Sequence, residues 1–66
     1  MKRLKLKLKR IEKDLSQKDL AERIGLTNQT ISDYERGKLN PSFKIMKAIA
    51  DELNSSVDEL FFNETN

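Results

Sequence analysis

Asn28, Gln29, Ser32, Asp33 and Arg36 are the side chains whose types and spacing could do chemistry. They fall at i, i+1, i+4, i+5 and i+8, so on a helix they share one side. An amide donates and accepts at once, as the N6 and N7 edge of adenine requires in a DNA major groove. Asp33 is repelled by phosphate but can accept from cytosine N4, and Arg36 attracts phosphate. A face meant only for water would more often carry Lys and Glu paired at i, i+4. For an arbitrary helix a solvated polar face is the ordinary reading. Here position decides against it, because the set starts just after the cap of the second of two short helices. The rest of the chain offers no rival chemistry. With no Cys and no His, thiol catalysis, disulfides and the usual zinc sites are excluded. Catalysis would need Asp, Glu or Lys converging in a pocket, for which so short a helical chain has little room. No catalytic residue, metal site, cofactor or small-molecule ligand is therefore expected.

The stretch that must position these residues is Ser16 to Gly37, SQKDLAERIGLTNQTISDYERG. Ser16 is a good N-cap with an acidic residue, Asp19, at N3. Leu15 and Leu20 can close a hydrophobic staple, and Gly25 ends the helix where a left-handed residue is wanted. The pattern then repeats. Thr27 caps a second helix, Leu26 and Ile31 stand in staple positions, Ile31 and Tyr34 face inward, and Gly37 is the stop. Two helices joined by a turn of about four residues containing Gly form the organisation of a DNA-binding helix-turn-helix.

The longer run SQKDLAERIGLTNQTISDYERGKLNPS closely resembles the Cro/C1-type (Xre-like) helix-turn-helix of phage and bacterial repressors. The resemblance extends from about Leu6 to Phe61, through the IADELNSSVDELF segment. It implies an all-α, five-helix lambda-repressor-like domain over residues 1–66, with its core in 6–61 and its motif in 16–37. The recognition helix, 28–36, would lie in the major groove. The resemblance implies these roles: Gln17 near a phosphate at the groove edge, Thr27 near backbone or a thymine methyl, and Asn28 and Gln29 reading bases. Ser32 and Asp33 would read further along, and Arg36 and Lys38 would contact phosphate. By sequence alone Arg10 and Glu35 are ordinary surface charges. In similar repressors, residues at the matching positions form a partly buried ion pair, so a structural Arg10–Glu35 pair is expected. The implied partner is a palindromic duplex operator bound by a homodimer, with repression as the outcome. A bacterial or phage-encoded protein acting in the cytoplasm, on the nucleoid and not at a membrane, would follow. The rival is a protein-interaction or antitoxin-type module that uses the helix-turn-helix only as scaffold.

Size and charge agree with that class. A domain of 66 residues buries only about 60% of its unfolded surface, so a partner subunit could add stability. The net charge of +2 conceals a gradient. Residues 1–13 hold seven Lys or Arg against Glu12 alone, and from Asp14 onward six bases face ten acids. One end is built to approach a polyanion and the other to avoid it.

The N-terminal MKRLKLKLKRI reads two ways. Leu4, Leu6 and Leu8 alternate with bases as in a short strand, whereas Leu4, Leu8, Ile11 and Leu15 fall on one helical face. The family pattern favours a helix from Leu6 or Lys7 to Lys13. It also allows a short strand in 1–5 paired with the C-terminal tail. A membrane-surface helix is disfavoured by the acids that soon follow. After the recognition helix, Lys38–Pro41 is a loop whose main-chain N–H groups, with Lys38, are candidate phosphate contacts. Ser42 or Asn40 caps a fourth helix, Phe43–Leu53, in which Ile45 or Met46, Ile49, Ala50 and Leu53 are core. Asn54 ends it. Ser56 to Glu59 reads as a capping box before a last short helix with Leu60 inward. Phe61 and Phe62 are adjacent, so one is left for a tail contact or a subunit interface. The end, 63–66, reads as frayed.

Overall fold

Ser16, Thr27, Ser42 and Ser56 each open a helix in the same way. Each hydroxyl accepts the backbone N–H three residues on, from Asp19 at 2.9 Å, Thr30 at 3.2 Å, Ile45 at 3.3 Å and Glu59 at 3.1 Å. Four helix starts are thereby fixed by local sequence. In this computed structural model, which describes residues 2–62, the elements are α1 (Leu4–Glu12), α2 (Gln17–Ile24), α3 (Asn28–Glu35) and α4 (Phe43–Glu52). A π-helical turn, α5 (Asp58–Phe62), follows. The chain is all-α, and no strand occurs among the described residues. The fraying expected at 63–66 lies outside them.

The helix ends are equally local. Asp14, Gly25, Gly37 and Asn54 all take positive φ, between 54° and 75°. Behind each, a backbone N–H closes on a carbonyl five residues earlier: Leu15 on Arg10, Leu26 on Ala21, Lys38 on Asp33 and Ser55 on Ala50. This is the left-handed stop that Gly adopts freely and that Asp and Asn tolerate. At Gly25 a Cβ would meet nothing within 4 Å, so there the glycine answers to its φ of 75° and not to crowding.

The core is Leu6, Leu20, Ala21, Ile31, Tyr34, Ile49, Ala50, Leu53 and Leu60, all buried. Leu15, Ile24, Leu26, Ile45, Val57 and Phe61 pack around it. An Arg23–Glu52 pair at 3.3 Å joins α2 to α4, and Lys9 reaches Glu59 at 4.0 Å to join α1 to α5. Both pairs are solvated and worth little.

Three expectations need correcting. First, α1 starts at Leu4, ahead of the expected Leu6 or Lys7, and residues 2–5 form no strand. The Arg3 N–H, which a strand would have aimed at a neighbouring strand, instead bonds the Glu35 carbonyl at 2.8 Å. Second, the apolar face of Leu4, Leu8 and Ile11 points outward, 56%, 62% and 49% exposed. The inward face carries Leu6 and Arg10, only 0% and 7% exposed. Two residues along a helix is about 200° of rotation, so Leu6 cannot share a side with Leu4 and Leu8. Turning the leucines inward would carry Arg10 into solvent and leave Glu35 buried without its partner. Third, the box at Ser56 is half made. Glu59 sends its carboxylate to the Ser55 hydroxyl at 2.6 Å.

The box at Ser16 is complete, because the Asp19 carboxylate also accepts the Ser16 N–H at 3.0 Å. That backbone bond, then the Ser16 hydroxyl, holds the Asp19 pKa below its ordinary 3.8. A carboxylate with a depressed folded pKa adds stability above its unfolded pKa and loses it as pH falls through the folded value. Acidification below pH 3.8 is therefore expected to lower the melting temperature. Asp19→Asn should flatten that pH dependence; a slope identical to wild type would show that the cap carries no linked proton.

Candidate nucleic-acid interface

α3 is held from its buried side, which leaves its polar side free. Ile31 and Tyr34 enter the core, and Glu35 lies beside them, 5% exposed. Glu35 accepts from Arg10 Nε at 2.6 Å and Nη2 at 3.1 Å, and from the Gln17 amide at 3.1 Å. Arg10 Nη1 also donates to the Leu15 carbonyl at 2.8 Å. One carboxylate thus ties α1, the entry to α2 and the end of α3 together. The fork geometry of Arg suits a paired carboxylate. Among the described residues no buried side-chain polar atom lacks a partner.

On the opposite side of α3, Asn28, Gln29 and Arg36 are exposed, and Ser32 and Asp33 are half-buried. Asn28 and Gln29 occupy the first two helical positions after the Thr27 cap. The Gln29 amide donates to Asp33 at 3.0 Å. An amide has two N–H donors and one oxygen, so a donor and the acceptor remain for a base edge. Asp33, the odd member of this face by charge, thereby aims Gln29. Thr27 accepts the Thr30 N–H and lies 2.9 Å from the Thr30 hydroxyl.

Gln17 has a partner that the sequence reading did not assign to it. It is half-buried with its amide on Glu35, so in this structure it helps hold the α2–α3 angle. Lys38 is exposed, but the N–H groups of Gly37 and Lys38 close the end of α3. Those two groups are engaged, whereas the Lys38 side chain reaches solvent. Asn40 is not the cap of α4. Ser42 takes that place, and the Asn40 side chain accepts from Arg3.

Arg3 is the residue that sequence reading passed over. Its guanidinium donates to the Tyr34 carbonyl at 2.7 Å, the Leu39 carbonyl at 3.1 Å and Asn40 Oδ1. It also lies over the Phe61 ring, 5.7 Å from the centroid. One side chain secures the loop after α3, adds a charged donor to the Tyr34 carbonyl at that helix end and stacks on α5. Nothing in the run MKRLKLKLKRI distinguishes it from its neighbours; its partners lie more than thirty residues away.

A helix-turn-helix family model matches residues 6–60. The chain belongs to the Cro/C1-type helix-turn-helix family. An HTH-type transcriptional regulator of Archaeoglobus fulgidus is 36% identical over 89% of this chain and 83% of its own length. One of Methanocaldococcus jannaschii is 38% identical over 91% of each. The immunity repressor of Bacillus phage phi105 is 34% identical over 92% of this chain, which spans 42% of that longer protein. Among the described residues, no helix of this helix-turn-helix chain is long and apolar enough to cross a membrane, and no acidic cluster suited to a metal ion occurs.

Proposed function

We propose that this regulator binds a two-fold duplex operator as a homodimer and represses the adjoining gene, with no catalytic step. Sequence-specific DNA binding is the activity its family and its fold support. The observation that carries the finer reading is the polar face of α3, exposed at Asn28, Gln29 and Arg36 and half-buried at Ser32 and Asp33, and fixed from behind by Glu35. Asn28 and Gln29 enter the major groove first, and Ser32 and Asp33 follow. Thr27 stands at the backbone edge, while Arg36 and Lys38 meet phosphates. Gln17 keeps one amide hydrogen and its oxygen for the backbone while bonded to Glu35. The phage immunity repressor among the relatives supports repression.

Selection of bound sequences from a random duplex pool, followed by gel-shift titration, tests this. The expected outcome is an inverted repeat with half-sites roughly 10 bp apart, centre to centre. A single half-site bound with 1:1 stoichiometry would count against the dimer. Log K is expected to fall by about 0.9 per phosphate contact for each unit of log salt. Lys38→Ala should reduce that slope by about one and weaken all sequences alike. If Lys38→Ala changed sequence preference at an unchanged slope, Lys38 would be a base contact.

A further inference from the structure

Arg3 caps the start of α1, yet its side chain bonds the end of α3 and the loop beyond it. We propose that Arg3 is a positioning residue for DNA binding: it fixes this loop so that Lys38 meets a phosphate, without touching DNA itself. The proposal deepens the reading of Lys38 above and rests on it.

The loop is held at its two ends by other means. The Lys38 N–H closes on the Asp33 carbonyl at 2.9 Å, and Pro41 is buried ahead of the Ser42 cap. Between these ends Leu39 and Asn40 are exposed, so burial of their side chains does not fix the chain there. The Arg3 guanidinium does. Its Nη1 donates to the Leu39 carbonyl at 3.1 Å, and its Nη2 donates to Asn40 Oδ1. Nη1 also donates to the Tyr34 carbonyl at 2.7 Å, so one planar group bridges the last turn of α3 and the loop. A rigid fork holds several acceptors in a fixed relation, which an ammonium on a flexible stem does poorly.

The guanidinium is itself held in place. It lies over the Phe61 ring, and the Arg3 N–H bonds the Glu35 carbonyl at 2.8 Å. That main-chain bond survives a change of side chain, and Leu6 and Arg10 keep α1 in the core. Removing the Arg3 side chain therefore frees the loop. The reading face of α3 stays where Ile31, Tyr34 and Glu35 set it. Both Nη atoms are engaged with protein acceptors, whereas the neighbouring Lys38 side chain is exposed and turned to solvent. A fixed loop has already lost the freedom that a loose one would lose on binding, so Lys38 contributes more to affinity from a fixed loop.

Binding isotherms on operator and scrambled duplexes over a salt series, run well below each variant's melting temperature, test the proposal. Lys38→Ala sets the scale. One lost phosphate contact lowers the salt slope by about 0.9, so the deficit grows about eightfold for each tenfold fall in salt. Arg3→Ala is expected to approach that loss on operator and scrambled duplex alike. Arg3→Lys should approach it too, because the charge is kept and the fork is lost. Asn40→Ala, an exposed change that keeps every charge, should give a smaller loss of the same kind. Adding Arg3→Ala to Lys38→Ala should cost nothing further, since the two act through one contact. Full rescue by Arg3→Lys would make Arg3 a simple charge contact and overturn the proposal. So would additive losses from Arg3→Ala and Lys38→Ala. An Arg3→Ala chain that melts lower but binds with the parent affinity and slope would overturn it as well, leaving Arg3 a purely structural role. Each of these results leaves the Lys38 reading standing. An unchanged slope in Lys38→Ala would overturn that reading, and the proposal with it.

Discussion

Glu35→Ala is expected to destabilise this protein by about 3–5 kcal/mol, because it leaves the Arg10 guanidinium buried without its counter-charge. The two side chains are 9% and 4% exposed and meet at 2.6 Å, so water cannot easily replace the lost carboxylate. The Gln17 amide loses its acceptor in the same change. For a domain this small, each kcal/mol shifts the melting temperature by about 4–8 °C, so a fall of at least about 12 °C follows. Total stability for a chain of this length is roughly 3–10 kcal/mol. The change thus removes at least about a third of the total. Thermal and denaturant melts measure this directly. Replacing both partners by apolar residues of similar volume, Arg10→Met with Glu35→Leu, is expected to cost far less, since no charge is then stranded. A single mutant that melts within a degree or two of wild type would show that water reaches the pair.

Gln29→Ala is expected to leave folding nearly untouched and to change what the protein reads. The residue is exposed, and among the described residues its side chain bonds Asp33 on the same helix face. A bidentate Gln–adenine pair is worth about 1–3 kcal/mol of discrimination. Preference at one base pair in each half-site should flatten by about that amount, with the salt slope unchanged. Asp33→Ala should produce a weaker version of the same loss, because the amide is then no longer aimed. Competition of operator against scrambled duplex measures both. If Gln29→Ala keeps the wild-type ratio between the two, α3 is not the reader. An interaction module built on the same scaffold would then explain the chain better.

Local sequence determined much of this protein. The capping hydroxyls at Ser16, Thr27, Ser42 and Ser56 and the left-handed stops at Gly25, Gly37 and Asn54 follow from chemistry within a few residues. The shared face of Asn28, Gln29, Ser32, Asp33 and Arg36 is periodicity alone. The side of α1 that faces inward was decided elsewhere. Its spacing put Leu4, Leu8 and Ile11 on one apolar helical face, and the fold turned that face out. Leu6 and Arg10 went in because Glu35, twenty-five residues further along, holds a charge that needs Arg10. Periodicity counts apolar side chains on one helix and cannot see a buried ion pair between two. The same holds for Arg3, whose partners Tyr34, Leu39 and Asn40 come into reach only once α1 and α3 are packed. It holds too for Gln17, whose amide the packed helices bring to Glu35. Where a residue's partner lies within one turn, the sequence narrowed the outcome to a few local choices, as with Glu59 between Ser55 and Ser56. Where the partner lies across the core, only the tertiary structure could decide it, because burial sets which charges must meet.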